Sequence, residues 1–192
     1  MIISFLFYRK DKKTYMFNIR PTPEQKEAAK KLVEQFNFGH RGRGDGDQRM
    51  QETGILGQIC VADLFGLSRP SGEKGFDGGF DFIINGKKVD IKTMGRMVDV
   101  KSHYVHNFVG YQLNFECDYY IFASYNKRFS KLQICGVISK DQFLIKADHY
   151  NIGDLRYRDD GTSFRSRAPL YEIKQSNLIQ VKSKEDILKE VK

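Results

Sequence analysis

Asp81, Asp90 and Lys92 are the residues whose types and spacing point most directly to chemistry. Asp90 and Lys92 are two residues apart, and side chains at that spacing in a β-strand point to the same face of the sheet. Carboxylate oxygens are the ligands that Mg²⁺ prefers, and a neighbouring amine can orient a water molecule or stabilise negative charge on a phosphate. The same residue types are also common on a solvent-exposed strand, so the pattern alone leaves both interpretations open.

The segment around these residues is predicted to form a β-hairpin. Asn85-Gly86 separates two runs of alternating apolar residues, 80–84 and 87–93. Asn-Gly favours a type I′ turn, because both central residues of that turn need positive φ. A two-residue loop would then place Asp81 directly opposite Asp90. Two carboxylates in that arrangement repel one another, so the register predicts a divalent cation between them.

The predicted register divides the side chains of the hairpin between two faces. Asp81, Asp90 and Lys92 share one of them. The other is apolar and is expected to lie in the core, and it holds Phe80, Phe82, Ile84, Val89 and Ile91. A slip of one residue would separate Asp81 from Asp90 but would leave Asp90 and Lys92 on one face.

A third acid is expected from the helix predicted over about 47–65. Glu52 precedes Ile55 and Ile59 at spacings of three and seven, so it extends the buried stripe of that helix. A carboxylate there would point towards the sheet, although a first-turn Glu is also favoured by the helix dipole alone. Asp63 competes for this role from a similar face of the helix, and Asp77 competes with Asp81, since both have the same parity and flank Gly78-Gly79.

The other elements are predicted from apolar spacing and from residues that start or stop helices. Helices are expected after Pro23, over 141–146 and from 183 onward. Strands are expected at 117–125, 132–138 and 171–173. The stretch 94–108 is expected to be a loop or an irregular helix, and 151–169 is polar, basic and turn-rich.

At these residues the chain resembles the PD-(D/E)XK nuclease superfamily, which includes restriction, phage and repair endonucleases. The resemblance consists of Glu52 in a helix, then Asp81, then Asp90-Ile91-Lys92, then a hydrophobic strand at about 119–125. The chain departs from the pattern at Phe80, where the superfamily often has a proline. The resemblance covers roughly residues 47–139. It implies an α/β (α+β) fold with a restriction-endonuclease-like core, in which a central mixed β-sheet is flanked by helices.

The same resemblance implies roles for individual residues. Mg²⁺, with Mn²⁺ as a substitute, would be bound by Asp81, Asp90, the backbone carbonyl of Ile91 and Glu52. Lys92 would assist the attacking water. The implied activity is that of a Mg²⁺-dependent endodeoxyribonuclease that hydrolyses phosphodiester bonds. Superfamily members often carry a further polar residue after the lysine, and the candidates here are Lys101, His103 and Gln112.

The charge of the chain suits a polyanionic partner. Thirty-two Lys and Arg against 24 Asp and Glu give a net charge of +8, and neutralising phosphates releases condensed counterions. Arg41 and Arg43, in a glycine-rich loop, are candidate nucleic-acid contacts together with Lys101 and His103; a plain linker is the alternative for that loop. Double-stranded DNA is the expected partner, and a homodimer stays open. A non-catalytic nucleic-acid-binding or assembly module that retains the nuclease fold is the alternative function.

The 192-residue chain is long enough for a single domain. That domain is expected over 21–182, with an N-terminal extension or extra hairpin over 1–20 and a C-terminal tail over 183–192. Cys60, Cys117 and Cys135 lie in apolar runs without metal-ligand spacing, as reduced core cysteines do in a cytoplasmic protein, here the host cytoplasm if the chain is phage-encoded. No segment reaches the roughly 18 apolar residues that a membrane span needs.

Overall fold

The described part of the chain contains both helices and strands. The structure, a computed structural model, describes residues 16–36, 47–72, 79–158 and 161–192. The α-helices of this part of the chain are α1 (Pro23–Gln35), α2 (Gln48–Phe65), α3 (Lys140–Lys146) and α4 (Lys184–Glu190). Its strands are β1 (Phe17–Ile19), β2 (Phe82–Ile84), β3 (Lys87–Arg96), β4 (Val105–Val109), β5 (Tyr119–Asn126), β6 (Lys131–Ser139), β7 (Asp148–Tyr150), β8 (Leu155–Tyr157), β9 (Ser163–Arg165) and β10 (Leu170–Lys174).

The two long helices begin and end at residues with clear capping roles. The Thr22 side chain accepts a hydrogen bond from the Gln25 backbone N–H, and the Gln25 side chain accepts one from the Thr22 N–H, which completes a capping box before α1. Asp47 caps α2 by accepting from the Met50 N–H at 2.8 Å. Gly66 ends α2 at φ 69°, a left-handed conformation that costs glycine little. The predicted bounds of α2, about 47–65, are therefore confirmed.

The main sheet has five strands in the order β1-β6-β5-β3-β2. β3 and β5 are parallel and the other neighbours are antiparallel, so the predicted mixed sheet is confirmed. A parallel pair needs a crossover connection, which is usually an α-helix. Here the connection contains β4 and a 3₁₀ helix, Gly110–Asn114. The fold is thus mixed α/β, and the described crossover from β3 to β5 contains no α-helix.

The sheet has a different cover on each face. Helices α1, α2 and α4 pack on one face, where Ile59, Ile121 and Ile187 are fully buried. A second sheet, in the order β4-β10-β7, and helix α3 cover the other face around an aromatic cluster. The cluster comprises Phe108, Tyr120, Phe122 and Phe143. Helices therefore flank the sheet mainly on one side.

Both ends of the described chain pack into the main core. β1 pairs with β6, with Phe17 opposite Ile134. Helix α4 buries Ile187 and Val191 in the cluster that α1 and α2 also cover. The residues expected to be an N-terminal extension and a C-terminal tail thus include parts of the core, while residues 1–15 lie outside the described chain.

The prediction of a loop or irregular helix over 94–108 was wrong at both ends of that stretch. Residues 94–96 continue β3, and Val105–Val109 forms β4. In β4 the buried residues are His106 and Phe108, so a polar side chain occupies a core position and the apolar alternation is lost. Within 151–169, β8 and β9 form a small hairpin whose residues stay largely at the surface.

Among the described residues, no helix has both the length and the apolar composition to cross a bilayer.

Candidate active site

The β2–β3 hairpin positions the candidate catalytic residues. Its register pairs Phe82 with Val89 and Ile84 with Lys87, as predicted. Asn85 and Gly86 both have positive φ, 51° and 77°, which is what a type I′ turn requires. The Asn85 side chain also donates to the carbonyls of Leu188 and Val191, so the turn is attached to the end of α4.

Asp81 lies one residue beyond the end of the β2–β3 ladder. Its backbone N–H donates to the Val89 carbonyl at 2.9 Å. Its carboxylate Oδ2 accepts a hydrogen bond from the Ile91 N–H at 2.7 Å. The Asp81 side chain thus takes the place of the backbone carbonyl that would accept from Ile91 if the ladder continued. Asp81 therefore does not pair with Asp90 in the ladder, although the predicted register had placed the two residues opposite each other. The carboxylate is nevertheless held at the edge of β3, one residue from Asp90.

Asp90 and Lys92 form a buried ion pair. The Lys92 Nζ lies 2.6 Å from the Asp90 Oδ2, and only 8% of the Asp90 side chain and 19% of the Lys92 side chain are exposed. The Lys92 Nζ also lies 5.4 Å from the centroid of the Phe108 ring. The prediction that Asp90 and Lys92 share a face is confirmed. The alternative of an ordinary solvent-exposed face does not hold, because the aromatic cluster covers it.

A buried ion pair needs an explanation beyond stability. Removing two charges from water costs several kcal/mol per ion, and apolar residues of similar volume often stabilise as well or better. A second buried pair, Arg156–Glu172, lies elsewhere in the chain, so burial alone does not identify a functional site. Asp90 and Lys92 are the candidate because the Asp81 carboxylate is held beside them.

Two protonated groups lie beside Asp90. Burial raises the pKa of the Cys117 thiol to about 12, and the negative charge of Asp90 adds to the effect. Burial also raises the pKa of Tyr120, again with a contribution from Asp90. The Tyr120 hydroxyl is buried without a hydrogen-bond partner. The Cys117 thiol and the Tyr120 hydroxyl therefore add no negative charge beside Asp90 at neutral pH.

Glu52 is not brought to the two aspartates. Thr53 and Gly57 are the α2 residues that face β3. A Cβ on Gly57 would lie 1.9 Å from the Thr93 Oγ1, and one on Gly95 would lie 3.6 Å from the Thr53 Oγ1. Helix α2 thus runs antiparallel to β3, and Glu52 is half-buried near the Gly95 end. The apolar spacing had placed Glu52 in the buried stripe, but the helix face that meets the sheet is centred on its neighbour Thr53.

Gln58 is the α2 side chain that reaches the site. Its Nε2 donates to the Asp81 Oδ1 at 2.7 Å, so both Asp81 oxygens have a donor. Six residues separate Gln58 from Glu52, about 9 Å along a helix axis. Sequence analysis missed Gln58 because a glutamine on a helix is usually a surface residue, and its partner is distant in the chain.

The other predicted acids have different fates. Asp63 forms an ion pair with Arg69 and accepts from the Gln25 side chain, so it connects α2 to α1. These hydrogen bonds lower the pKa of the Asp63 carboxyl. Asp63 is therefore committed to packing between helices, and Asp77 lies outside the described residues.

The predicted nucleic-acid contacts are only partly described. Arg41 and Arg43 lie outside the described residues. Lys101 and His103 are exposed in the loop that follows β3, where the His103 ring packs edge-on against Tyr104. They belong to the Arg96 end of β3 and not to the Asp90 end. The remaining polar candidate, Gln112, lies half-buried in the 3₁₀ helix after β4.

The oxygen atoms at the hairpin suit a hydrated Mg²⁺ better than a closed protein cage. No group of three His, Cys, Asp or Glu among the described residues is arranged to hold a metal. Asp81 and Asp90 supply carboxylates, each of whose oxygens can accept more than one bond. The N–H and carbonyl of a strand residue point to the same side, so the Ile91 carbonyl faces the edge where Asp81 lies. Mg²⁺ commonly binds one or two carboxylates and keeps several waters.

Comparison of the chain with protein-family models, with curated proteins and with solved structures gives no match. What the protein does is therefore inferred from its own residues and their arrangement.

Proposed function

We propose that the protein is a Mg²⁺-dependent endodeoxyribonuclease with a site of the PD-(D/E)XK type. The observation that carries the proposal is the buried Asp90–Lys92 pair beside an Asp81 carboxylate held by the Ile91 N–H. An acid from one strand, then an acid and a lysine on one face of the next strand, is the residue set that metal-dependent phosphodiester hydrolysis uses. The charge of +8 supports a nucleic-acid substrate.

The proposal includes a restriction-endonuclease-like core. It is supported by the order of α2, the β2–β3 hairpin and β5, and by the parallel pairing of β3 with β5. The departures are the crossover without an α-helix and the position of Glu52. We therefore propose that the α2 residue that serves the site is Gln58, which positions the Asp81 carboxylate, and not Glu52.

Each residue has a separate role in the proposed reaction. Asp81, Asp90 and the Ile91 carbonyl would hold the Mg²⁺, which when bound supplies Lewis-acid activation of a water and of the phosphate. Gln58 and the Ile91 N–H fix the direction of the Asp81 carboxylate. Lys92, whose Nζ lies against the Phe108 ring, would place a positive charge where negative charge develops on the phosphate.

One observation favours a second candidate, a non-catalytic nucleic-acid-binding module. Both oxygens of Asp81 and one oxygen of Asp90 already have partners within the chain. Lys92 can neutralise Asp90 without any metal. A module that has lost catalysis would keep such internal pairs together with the basic surface.

The test is cleavage of supercoiled plasmid by the full chain, in Mg²⁺ and in EDTA. We expect nicking in Mg²⁺ only, and a loss of at least about 100-fold in Asp90→Asn. Glu116→Gln is the matched control, because Glu116 is also paired with a hairpin lysine, Lys88, but is exposed. Salt-sensitive DNA binding without cleavage would favour the second candidate. Absence of cleavage of DNA and RNA with Mg²⁺ or Mn²⁺, together with absence of binding, would exclude both.

A further inference from the structure

Arg96, at the end of β3, is a half-buried cation with no acidic partner among the described residues. It follows Asp90 and Lys92 at the two-residue period and so lies on the same face of the sheet. Its Nη2 donates to the Val105 carbonyl at 2.5 Å, and its guanidinium lies 5.1 Å from the centroid of the Tyr104 ring. Its Nε is buried with no hydrogen-bond partner.

The acid nearest in the fold is committed elsewhere. Asp99 accepts from the Lys131 Nζ at 2.6 Å and from the Asn126 side chain at 2.7 Å, and Asn126 is the residue opposite Arg96 on β5. Among the described residues no carboxylate forms an ion pair with Arg96, and burial lowers its pKa. An arginine keeps its charge in proteins, so the site holds a positive charge that no described carboxylate neutralises.

Ser124 adds an unpaired hydroxyl beside Arg96. It is fully buried, and its Oγ has no hydrogen-bond partner. Ser124 is opposite Met94 on β3, which makes it a diagonal neighbour of Arg96 on the same face. Its hydroxyl is therefore free to donate to a group that Arg96 binds.

His106 adds an unpaired ring nitrogen. It follows Val105, whose carbonyl Arg96 contacts, and only 1% of it is exposed. The Gln175 Nε2 donates to the Cys135 carbonyl, so the Gln175 Oε1 accepts from the His106 Nε2–H at 2.7 Å. The His106 Nδ1 has no partner. It is the unprotonated nitrogen of a neutral ring, and it becomes a donor if the ring is protonated.

An internal water would satisfy only part of this arrangement. One water could accept from the Arg96 Nε–H and donate to the His106 Nδ1. It would leave the positive charge of Arg96 uncompensated in a partly desolvated place. An oxyanion would accept from Arg96, Ser124 and a protonated His106, and would supply the missing negative charge as well.

We propose that Arg96, Ser124 and His106 form a binding site for a tetrahedral oxyanion of the phosphate class. Arg96 is half-buried, and Lys101 and His103 are exposed in the loop that follows β3, so solvent lies next to the outer part of the Arg96 side chain. The phosphate comes either from a nucleic-acid strand, which rests on the proposed nucleic-acid substrate, or from free inorganic phosphate. Binding at this site does not require the hairpin metal.

The first test is thermal unfolding of the full chain in EDTA, with sodium phosphate compared against sodium chloride of equal ionic strength. We expect phosphate at ten times its dissociation constant to raise the Tm by about 3–6 °C. Arg96→Met should lose this rise and should unfold in chloride no earlier than wild type, because it removes an uncompensated charge. Lys189→Met removes the same charge from α4, which packs on the other face of the sheet, and should keep the rise.

The second test is the ring ¹⁵N chemical shift of His106 at pH 6, with and without phosphate. We expect the shift of an imidazolium in phosphate and of a neutral ring in chloride, and a weaker response in Ser124→Ala. An unchanged Tm and an unchanged ring shift in wild type would mean an internal water only and would overturn the proposal. So would a phosphate response in Arg96→Met equal to that of wild type.

A duplex oligonucleotide, added in EDTA, identifies the source of the phosphate. If Arg96→Met loses stabilisation by the duplex as well as by phosphate, the site binds a strand phosphate. If it loses only the response to inorganic phosphate, the site binds the free anion. A protein that cleaves no DNA but keeps the Arg96-dependent phosphate response would contradict the nuclease proposal and leave this site intact.

Discussion

At the scale of single residues, each side chain of the candidate site depends on a partner that neutralises or orients it. Asp90 has Lys92, and Asp81 has the Ile91 N–H and Gln58. The two-residue period of a strand was enough to predict that Asp90 and Lys92 share a face. It could not predict Gln58, because that hydrogen bond depends on how a helix packs against a strand end formed 23 residues later in the chain.

Lys92→Met should destabilise the protein in EDTA. Asp90 would remain buried without its cation, so the free energy of unfolding should fall by about 3–5 kcal/mol in urea titrations. Mg²⁺ should restore part of the loss if Asp90 binds the metal. Lys131→Met is the matched control, because Lys131 is also 2.6 Å from an aspartate, Asp99, whose side chain is 49% exposed. Its cost should stay below about 1 kcal/mol, and equal costs for the two variants would contradict the burial argument.

The stability of the protein should depend on pH through His106. Burial lowers the pKa of His106 to about 4, from an ordinary value of 6.5. Because the folded state disfavours the protonated ring, stability is complete above pH 6.5 and is lost as pH falls towards 4. The contribution is roughly 3 kcal/mol.

His106→Gln should remove this part of the pH dependence in phosphate-free buffer. Urea unfolding of wild type and variant should give parallel stability curves between pH 7 and 8. Below pH 6.5 the wild-type curve should fall more steeply than that of the variant. Curves that stay parallel down to pH 4.5 would show that His106 is not buried as a neutral ring.

At the scale of elements, the close approach of α2 to β3 brings the Gln58 side chain to Asp81. Apolar spacing predicted the existence and ends of α2, and Asn-Gly predicted the hairpin turn. Apolar spacing did not predict which face of α2 meets the sheet, because that face is set by Gly57, which leaves room for the Thr93 side chain. β4 was missed for a related reason, since His106 occupies one of its core positions.

Gly57→Ala should move α2 away from β3. The added Cβ would lie 1.9 Å from the Thr93 Oγ1, so the variant should lose about 1–3 kcal/mol in the free energy of unfolding and should release Asp81 from Gln58. Gly54→Ala, in the same helix with open space around its Cβ, should instead gain about 0.5–1 kcal/mol. If both substitutions stabilise the protein equally, the contact between α2 and β3 is looser than the structure indicates.

At the scale of the whole molecule, the net charge of +8 supports the proposed nucleic-acid partner. Composition alone predicts a polyanionic partner, and this prediction needs no knowledge of the fold. It does not say where a strand would lie. Asp90 and Lys92 lie towards one end of β3 and Arg96 lies at the other, all on one face of the strand.

Duplex DNA binding in EDTA should weaken with salt in a log–log linear relation, as measured by fluorescence anisotropy. Replacing Arg41 and Arg43 together by Gln should weaken binding to all sequences and reduce the magnitude of the slope by about 2. Replacing Lys146 in α3 and Lys189 in α4 together by Gln removes the same charge at other places. This control should reduce the slope less than the replacement of Arg41 and Arg43. Equal slopes for the two double variants would mean that the basic loop contacts no phosphate.

The most direct measurement for the central claim is anomalous scattering from a crystal of the protein soaked in Mn²⁺. We predict an Mn²⁺ peak within bonding distance of both the Asp81 and the Asp90 carboxylates, with the Lys92 Nζ displaced from Asp90, and no such peak in Asp90→Asn. Absence of a peak at saturating Mn²⁺, with the Asp90–Lys92 ion pair intact, would contradict a metal-dependent active site at the β2–β3 hairpin.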